Sequence, residues 1–342
     1  MEDSSQVLQT EDLSIGFKGK KKESSIIFDK ISVSAGKAEL VALFGPNGIG
    51  KSTLLRSLVK LQSPLSGKIF LFNVNLRNYS RTRLARKLGY VSTETVHINN
   101  LRVHDLVSLG RYPYTGWMGR LGKDDIDKVN DAINMVSIEH LQGKFIHQLS
   151  DGERQRAMIA RTLAQDTSII VLDEPTAFLD LPNKYEVVHL LQKLARKSGK
   201  TIIFSTHDLH IAIQEAAKIW LMLEGQIIQG SPEDLILGGS FSKMFENTNL
   251  KFNEAMGEFR IRRKPGMTIG LTGGQAECKW TRNALERIGY RVTAQGIHEI
   301  MITVENDRGK RVWEVIRRGD KMQFNSIYNL CSFLEGFRDS TG

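Results

Sequence analysis

Two stretches of this sequence carry residue types that handle phosphate groups and metal ions. LFGPNGIGKST, residues 43–53, fits the spacing of a phosphate-binding loop: Gly, four residues, then Gly-Lys-Ser/Thr. SIIVLDEP, residues 168–175, is an apolar run that leads into the carboxylates Asp173 and Glu174. Glycine lets the backbone approach phosphate oxygens closely, and a carboxylate can hold Mg²⁺ or activate water. Together the two stretches predict a site that binds a nucleotide phosphate and cleaves it with water.

The residue types assign a role to each position in that chemistry. We expect Lys51 to reach the β- and γ-phosphates, and Ser52 and Asp173 to ligate Mg²⁺. Glu174, one residue beyond the metal ligand, is placed to orient and deprotonate the attacking water. The loop residues predicted to surround the phosphates are Gly45, Pro46, Asn47, Gly48, Gly50, Lys51, Ser52 and Thr53.

Buried strands and a helix must position these groups. AELVALFG, which leads into the loop, predicts a buried strand, and TLLRSLVKL, which follows Ser52, predicts a helix. The apolar residues before Asp173 predict a second strand that presents this carboxylate at its carboxyl end, where ligands bind in open α/β sheets. The leucines expected on one face of the helix are Leu54, Leu55, Leu58 and Leu61.

A second anion-binding helix start is predicted at LSDGERQRAMIARTLA, residues 149–164. Ser150, with Glu153 three residues later, has the spacing of a capping box. The free N–H groups at such a helix start attract anions. The alternative is simply a well-capped helix, since Met158 and Leu163 suit a buried face.

The motifs, in this order, resemble those of the ATP-binding-cassette (ABC) ATPases. GPNGIGKST resembles the Walker A loop of that family, LSDGERQR the signature motif, IIVLDEP the Walker B strand, TAFLD the D-loop and TIIFSTHD the switch strand. The resemblance covers about the first 264 residues. It implies an α/β P-loop ATPase cassette, with a mixed core sheet and an inserted helical subdomain at about 95–165. It also implies ATP hydrolysis, with ATP and Mg²⁺ as cofactors.

Further residues receive roles from the resemblance alone. Two cassettes are implied to pair head to tail as a homodimer, so that the signature motif of one closes on ATP held by the other. His207 is implied to contact the γ-phosphate and to position the water with Glu174. Phe17 is implied to stack on adenine, and Asp180 ends the D-loop. The signature residues implied to contact the partner's ATP are Ser150, Gly152 and Glu153.

One position departs from the family pattern. After the strand KLGYVS the family usually has a glutamine that approaches Mg²⁺ and links to the transporter, whereas this sequence reads YVSTETV. Thr93 occupies the expected position and Glu94 follows it, so either side chain is a candidate for the metal site. We expect ATP hydrolysis to survive this change, with altered metal or partner coupling.

The helical subdomain carries a further resemblance that concerns the partner. GRYPY, residues 110–114, followed by TGWMGRLG, is similar to cassette ATPases of importers for ferric siderophores, haem and cobalamin. The similarity implies an integral-membrane permease as partner and, indirectly, a substrate-binding protein. It places the chain on the cytoplasmic face of the inner membrane as a peripheral subunit. The cargo stays open, in the order iron-siderophore, haem, cobalamin.

Two other uses of the same cassette remain as alternatives. One is a soluble ABC-family ATPase that acts on ribosomes or nucleic acid, and the other is an exporter ATPase. The cassettes of repair and chromosome organisation usually carry a long coiled coil between the halves of the site, and no sustained heptads separate Ser52 from Leu149 here. No nucleic-acid partner is therefore expected.

Composition sets limits on the class of protein. The chain has 342 residues, 41% of them apolar and 25% charged, which is ordinary for a globular protein, and no apolar run is long enough to span a bilayer. The polar, acidic start MEDSSQVLQTED predicts no signal peptide. Two cysteines give no disulfide framework, which fits a reducing cytoplasm. The net charge of +9 includes the run KGKKK, which is read as a solvated loop rather than a contact with anionic lipid.

The chain is expected to end in a small α+β accessory domain, residues 265–342, after a cassette of residues 1–264. MTIGLTGG, EIMITVE and KRVWEVIRR predict strands, and Ile300, Ile302 and Val304 should share one side of theirs. AECKWTRNALERIGY predicts a helix with Trp280, Ala284, Leu285 and Ile288 on one face. SIYNLCSFLEGF predicts a closing helix. A role as packed appendage or dimer support is favoured over a ligand-sensing module.

Overall fold

The computed structural model describes residues 6–18, 24–93, 100–116, 119–246, 248–254, 257–263, 266–307 and 310–338. The chain divides into two compact units, Met1–Arg260 and Ile261–Gly342. This division lies close to the predicted boundary between residues 264 and 265. The first unit is the mixed α/β cassette that the motifs predict, and the second is a small domain of five strands and two helices in the described residues.

The strands that start within the first unit alternate with its helices. The strands are β1 (Gln6–Lys18), β2 (Ser24–Ile31), β3 (Ser34–Gly36), β4 (Leu40–Phe44), β5 (Ser66–Leu71), β6 (Val74–Asn75), β7 (Leu88–Val91), β8 (Ile169–Leu172), β9 (Thr201–Thr206), β10 (Lys218–Leu223), β11 (Gln226–Gly230), β12 (Leu250–Asn253) and β13 (Glu258–Ile261). The helices are α1 (Lys51–Leu58), α2 (Arg81–Ala85), α3 (Val103–Ser108), α4 (Lys123–Met135), α5 (Asp151–Ala164), α6 (Leu181–Ser198), α7 (Leu209–Glu215), α8 (Pro232–Leu237) and α9 (Ser240–Met244).

A six-stranded sheet forms the centre of the described part of this unit, in the order β11-β10-β4-β9-β8-β7. The pairs from β10 to β7 are parallel, and β11 runs antiparallel to β10 at the edge. Every residue of β4, β8 and β9 is buried, which is the pattern expected of parallel strands covered on both faces. The carboxyl ends of these strands therefore open at one edge of the sheet.

A second sheet, in the order β2-β1-β5-β6 with β3 paired to β1, covers one side of the central sheet. Its apolar residues share one hydrophobic core with α1 and with side chains from the central strands, including Ile15, Leu43 and Leu54. The predicted helix after the phosphate loop is shorter than its leucine pattern. It ends at Leu58, so Leu61 lies beyond it and is 67% exposed rather than on a packed face.

Helices α3, α4 and α5 form the predicted helical subdomain. Their buried residues belong to the larger hydrophobic core, to which each helix contributes; examples are Val107, Ile133 and Ile159. Among the helices of the described residues, none is long and apolar enough to cross a bilayer.

The second unit is a five-stranded sheet with two helices against one face. Its elements are β14 (Thr268–Gly273), α10 (Gln275–Arg287), β15 (Arg291–Thr293), β16 (Ile300–Asp307), β17 (Lys310–Arg317), β18 (Asp320–Phe324) and α11 (Ile327–Arg338). The strand order is β15-β14-β16-β17-β18. Ile300, Ile302 and Val304 are buried together, as their alternation predicts.

The face predicted for α10 is only partly correct. Ala284 and Leu285 are buried, but Trp280 is 61% exposed. The buried stripe begins instead at Thr281, whose hydroxyl accepts a hydrogen bond from the indole of Trp313 at 2.8 Å. The helix therefore turns its polar threonine towards the sheet, and the larger apolar ring of Trp280 faces outward.

Candidate active site

Four adjacent parallel strands deliver the predicted residues to one edge of the central sheet. In the order β4, β9, β8, β7, their carboxyl ends lead into the phosphate loop, His207, Asp173 and Thr93. Each is the first or a close residue after its strand, so the side chains need no long loops to converge. This is the edge at which open α/β sheets bind ligands.

The phosphate loop ends in a helix start with a left-handed residue. Gly50, the N-cap of α1, has φ 113°, and a Cβ there would lie 2.7 Å from the Cγ2 of Ile27. Only glycine fits this position without strain. The turn points the first N–H groups of α1 towards the loop, which is the arrangement that binds phosphate.

Lys51 lies within the loop that it is predicted to serve. Its side chain is 5% exposed, and its Nζ donates to the carbonyl oxygens of Gly45 (2.8 Å) and Pro46 (3.1 Å). Burial lowers the pKa of Lys51, and the carboxylates of Glu174 and Asp173 oppose that shift. A desolvated ammonium at the centre of a glycine loop gains most from a bound polyphosphate.

Asp173 is buried and holds two hydroxyl groups on one oxygen. Its Oδ1 accepts hydrogen bonds from Ser52 Oγ at 3.0 Å and from Ser205 Oγ at 2.8 Å. Its Oδ2 is buried and, within the described part of the chain, has no hydrogen-bond partner. A buried carboxylate oxygen without a partner, beside a hydroxyl, suits a hard cation. The residues present therefore fit the predicted Mg²⁺, with Ser52 and Asp173 as the groups that would hold it.

Glu174 connects the phosphate loop to His207. Its Oε1 lies 3.8 Å from Lys51 Nζ, and its Oε2 lies 3.7 Å from His207 Nδ1. The residue has a left-handed φ of 45°, unusual for glutamate, and its backbone N–H donates to Ser205 Oγ at 2.8 Å. The side chain is thus held between a cation that would face phosphate and an imidazole that is half exposed.

Thr93 and Glu174 line the same cleft, which has a volume of about 350 Å³. The cleft runs from the end of β7 to the first turns of α5 and is also lined by Gln155 and Phe178. Thr93 is exposed there, so its hydroxyl can reach water or a ligand in the cleft. Glu94, the other candidate at this position, lies outside the described residues.

The predicted signature residues form a second group, at the N-terminus of α5. Ser150 is the N-cap, and the capping box predicted with Glu153 is present. Glu153 Oε2 accepts from both Ser150 N (2.8 Å) and Ser150 Oγ (3.0 Å). The pKa of Glu153 is lowered, first by the Ser150 backbone hydrogen bond and further by the Ser150 hydroxyl and the charges of Lys144 and His140, although burial opposes the shift.

Gly152 and the D-loop meet through one side chain. A Cβ on Gly152 would lie 3.0 Å from atoms of the Asn183 side chain. Asn183 donates to Asp180 Oδ1 through both its backbone N–H (3.2 Å) and its Nδ2 (2.6 Å). Asp180 is thus the N-cap of α6, and the start of α6 packs against the signature turn.

The remaining predicted residues lie on the open side of the loop. Phe17, on β1, is 58% exposed, so its ring is free to stack on a planar ligand. Asn47 and Gly48 are exposed, and Gly48 has φ 80° with nothing within 4 Å of a Cβ. Thr53 is half-buried in the first turn of α1.

Two features of the region were not predicted from the sequence. Ser205 joins Asp173 and Glu174, and the signal was the hydroxyl in TIIFSTHD directly before the predicted histidine. Tyr114 of the GRYPY motif lies between two guanidinium groups, 3.9 Å from that of Arg111 and 4.9 Å from that of Arg86. Nothing in the local pattern indicates that stack, because Arg86 comes from a distant element.

The stack fastens the segment after α3 to the rest of the cassette. Arg111 Nη1 donates to the carbonyl of Ala164 at 2.7 Å, and its Nε pairs with Asp125 at 2.8 Å. The Tyr114 hydroxyl donates to the carbonyl of Gln165 at 3.1 Å. The GRYPY segment is therefore a rigid part of the helical subdomain rather than a loose surface loop.

Family models match both units of the chain. Residues 28–177 match the model of the ABC transporter family, and residues 266–335 match that of the iron ABC transporter C-terminal domain. The first match spans the phosphate loop, the signature turn and the Walker B strand. The second covers most of the small domain.

Individual proteins agree with these models. The chain is 34% identical over 239 residues to the ferric enterobactin transport ATP-binding protein of Escherichia coli, covering 70% of this chain and 86% of that one. Its fold is similar to a metal-chelate-type ABC transporter solved in an inward-facing conformation (28% identity, TM-score 0.61, 71% and 89% of the two chains). It is also similar to a bacterial ABC transporter cassette solved as a dimer (25% identity, TM-score 0.58, 66% and 98%).

Proposed function

This chain belongs to the ABC transporter family as an ATP-binding, ATP-hydrolysing cassette, and we propose that it powers the import of a ferric siderophore through a membrane permease. The observation that carries the hydrolytic part is the position of Glu174, within 4 Å of both Lys51 and His207. A carboxylate between a phosphate-binding cation and an imidazole is placed to take a proton from water beside a γ-phosphate.

The proposed roles follow from the contacts of each side chain. Lys51 turns its ammonium from the carbonyls of its own loop to the β- and γ-phosphates. Glu174 accepts the proton of the attacking water, and His207 orients that water and the γ-phosphate. Bound Mg²⁺, held by Ser52 and Asp173, supplies positive charge at the phosphates. Phe17 stacks on the adenine.

Two cassettes complete the proposed site. The helix α5 ends in exposed donors at Ser150, which suit an anion brought by another molecule. We assign that anion to the γ-phosphate of ATP in a second copy, which makes the active form a head-to-tail homodimer. The dimeric cassette with a similar fold supports this assembly.

The cargo is inferred from the relatives. One is a ferric enterobactin transport protein and another solved neighbour is of the metal-chelate type. The match of the small domain to an iron-transporter model points in the same direction. We therefore place ferric siderophores before haem and cobalamin. The chain would sit on the cytoplasmic face of the membrane, attached through the permease.

Co-purification from the source cell tests the proposal. The Glu174→Gln variant lacks the carboxylate that activates water, so with ATP and Mg²⁺ it should stay closed and keep its partners. We expect a polytopic permease to co-purify from gently solubilised membranes. The matched control is Lys51→Ala, which lacks the phosphate-binding ammonium and should lose ATP-dependent closure. Recovery of ribosomes or nucleic acid without a permease would overturn the importer in favour of the soluble-cassette alternative.

The role of residues 265–342 stays a separate proposal. We favour an accessory domain that supports the cassette dimer over one that senses a ligand. Deletion of these residues should weaken dimerisation or transport while leaving ATP binding intact. Unchanged hydrolysis, dimerisation and transport would leave only a packed appendage.

A further inference from the structure

The signature turn of this chain contains a carboxylate in contact with the serine that should face phosphate. Ser150 has two donors, its backbone N–H and its hydroxyl. Both point to the same oxygen of Glu153, at 2.8 Å and 3.0 Å. The donors that make a helix start attractive to an anion are thus already occupied by an anion from the same turn.

Glu153 is ionised under ordinary conditions. The hydrogen bonds from Ser150, together with the charges of Lys144 and His140, lower the pKa of its carboxyl group. A charged acceptor holds a hydroxyl more firmly than a neutral one does. It also places a negative charge about one hydrogen-bond length from the oxygen that a phosphate would contact.

We propose that Glu153 is a positioning residue that competes with the partner's ATP for Ser150, so that closure of the dimer requires Ser150 to exchange a carboxylate for a phosphate. This inference rests on the proposed ATP-bound homodimer. In the open chain Glu153 caps α5 and satisfies Ser150. On closure the hydroxyl rotates to the γ-phosphate and the carboxylate swings away.

The same contacts indicate where the released carboxylate goes. Lys144 is exposed and lies on the segment directly before α5, close enough to act on Glu153. It offers an ammonium to a carboxylate that leaves Ser150. The exchange therefore keeps both anions paired, and it sets the ATP concentration at which two cassettes close.

Removing the competitor should strengthen closure while weakening the helix. In a Glu174→Gln parent chain, the dimer fraction is measured by sedimentation as ATP is titrated with Mg²⁺. We expect Glu153→Ala to lower the ATP concentration for half-maximal dimer by roughly three- to tenfold, the range for one lost competing hydrogen bond. Its thermal midpoint should fall, because the capping box is lost. A purely structural role would weaken both properties.

Three further variants separate the explanations. Glu153→Gln keeps the size and the cap, and should shift the titration in the same direction as Glu153→Ala. Asp151→Asn removes a neighbouring exposed carboxylate that pairs with Arg154, and should shift it by less than twofold. In a Ser150→Ala background the Glu153→Ala shift should vanish, because Glu153 acts through that hydroxyl.

The outcomes are decisive. An unchanged or weaker dimer in Glu153→Ala overturns the proposal, as does an equal gain in Asp151→Asn, which would indicate general charge repulsion. A gain that persists in Ser150→Ala overturns it too. If the Glu174→Gln parent itself shows no ATP-dependent dimer, the proposed homodimer is wrong, and that result is distinguishable from a failure of the Glu153 variants alone.

Discussion

Replacing Ser205 with alanine should uncouple ATP binding from ATP hydrolysis. The Ser205 side chain is completely buried, accepts the N–H of Glu174 at 2.8 Å and donates to Asp173 Oδ1 at 2.8 Å. Ser205→Ala leaves that N–H without its acceptor and removes one of the two hydroxyl groups that orient Asp173. The left-handed φ of 45° at Glu174 then loses the contact that holds it.

The magnitude follows from the cost of a buried, unsatisfied amide, which is about 1–3 kcal/mol. We therefore expect Ser205→Ala to lower the free energy of unfolding by about 2 kcal/mol. If the same amount is lost from the positioning of Glu174 in the transition state, kcat falls about thirtyfold. The KM for ATP should change little, because the phosphate loop keeps its contacts.

Steady-state ATP hydrolysis at 25 °C, with urea unfolding of the same preparation, measures both effects. Thr162→Val is the matched control, since Thr162 is buried and its hydroxyl contacts only the Met158 carbonyl of its own helix among the described hydrogen bonds. It should unfold somewhat more easily and keep kcat within about twofold. A Ser205→Ala enzyme with wild-type kcat would refute the reasoning that this hydroxyl positions Glu174.

Two more substitutions and one titration probe the scaffold around the site. Arg111→Ala removes a buried guanidinium paired with Asp125, and should lower the free energy of urea unfolding by about 2 kcal/mol; an unchanged midpoint would contradict the bracing role of the GRYPY segment. The N–H of Gly122 and then Arg111 lower the pKa of Asp125, so its stabilisation is complete above the ordinary carboxyl pKa and is lost as the pH falls through the lowered folded value. The gap between wild type and Arg111→Ala should therefore narrow in acid, and a gap that widens would exclude the ion pair as its cause. Gly50→Ala forces a left-handed residue and a clash with Ile27, and should weaken binding of a fluorescent ATP analogue at least tenfold; normal affinity would show that the loop tolerates a side chain.

Local patterns in the sequence were sufficient for the parts of the site that depend on neighbouring residues. The strand before Asp173 and the capping box of Ser150 and Glu153 are confirmed, because each is set by residues within a few positions of one another. The end of α1 was wrong by three residues, since Leu61 continues a helical spacing after the chain has already turned.

Contacts between distant elements could not be predicted. Ser205 reaches Asp173 only because β8 and β9 pair in parallel with Leu172 opposite Phe204. The Tyr114 stack needs Arg86 from α2's end, and the exposure of Trp280 depends on how much of α10 the sheet covers. Register and coverage are properties of the folded unit, so no single stretch of sequence contains them.

Uptake of a radioactive-iron siderophore by the source cell tests the central claim most directly. Cells that carry Glu174→Gln in place of the native protein, at equal abundance, are compared with cells that carry Leu237→Ala, a change at a surface residue that is 82% exposed. The account predicts that iron-siderophore uptake is abolished in the first strain and normal in the second, while cobalamin uptake continues in both. Normal iron uptake in the Glu174→Gln strain would contradict the proposal that this ATPase powers siderophore import.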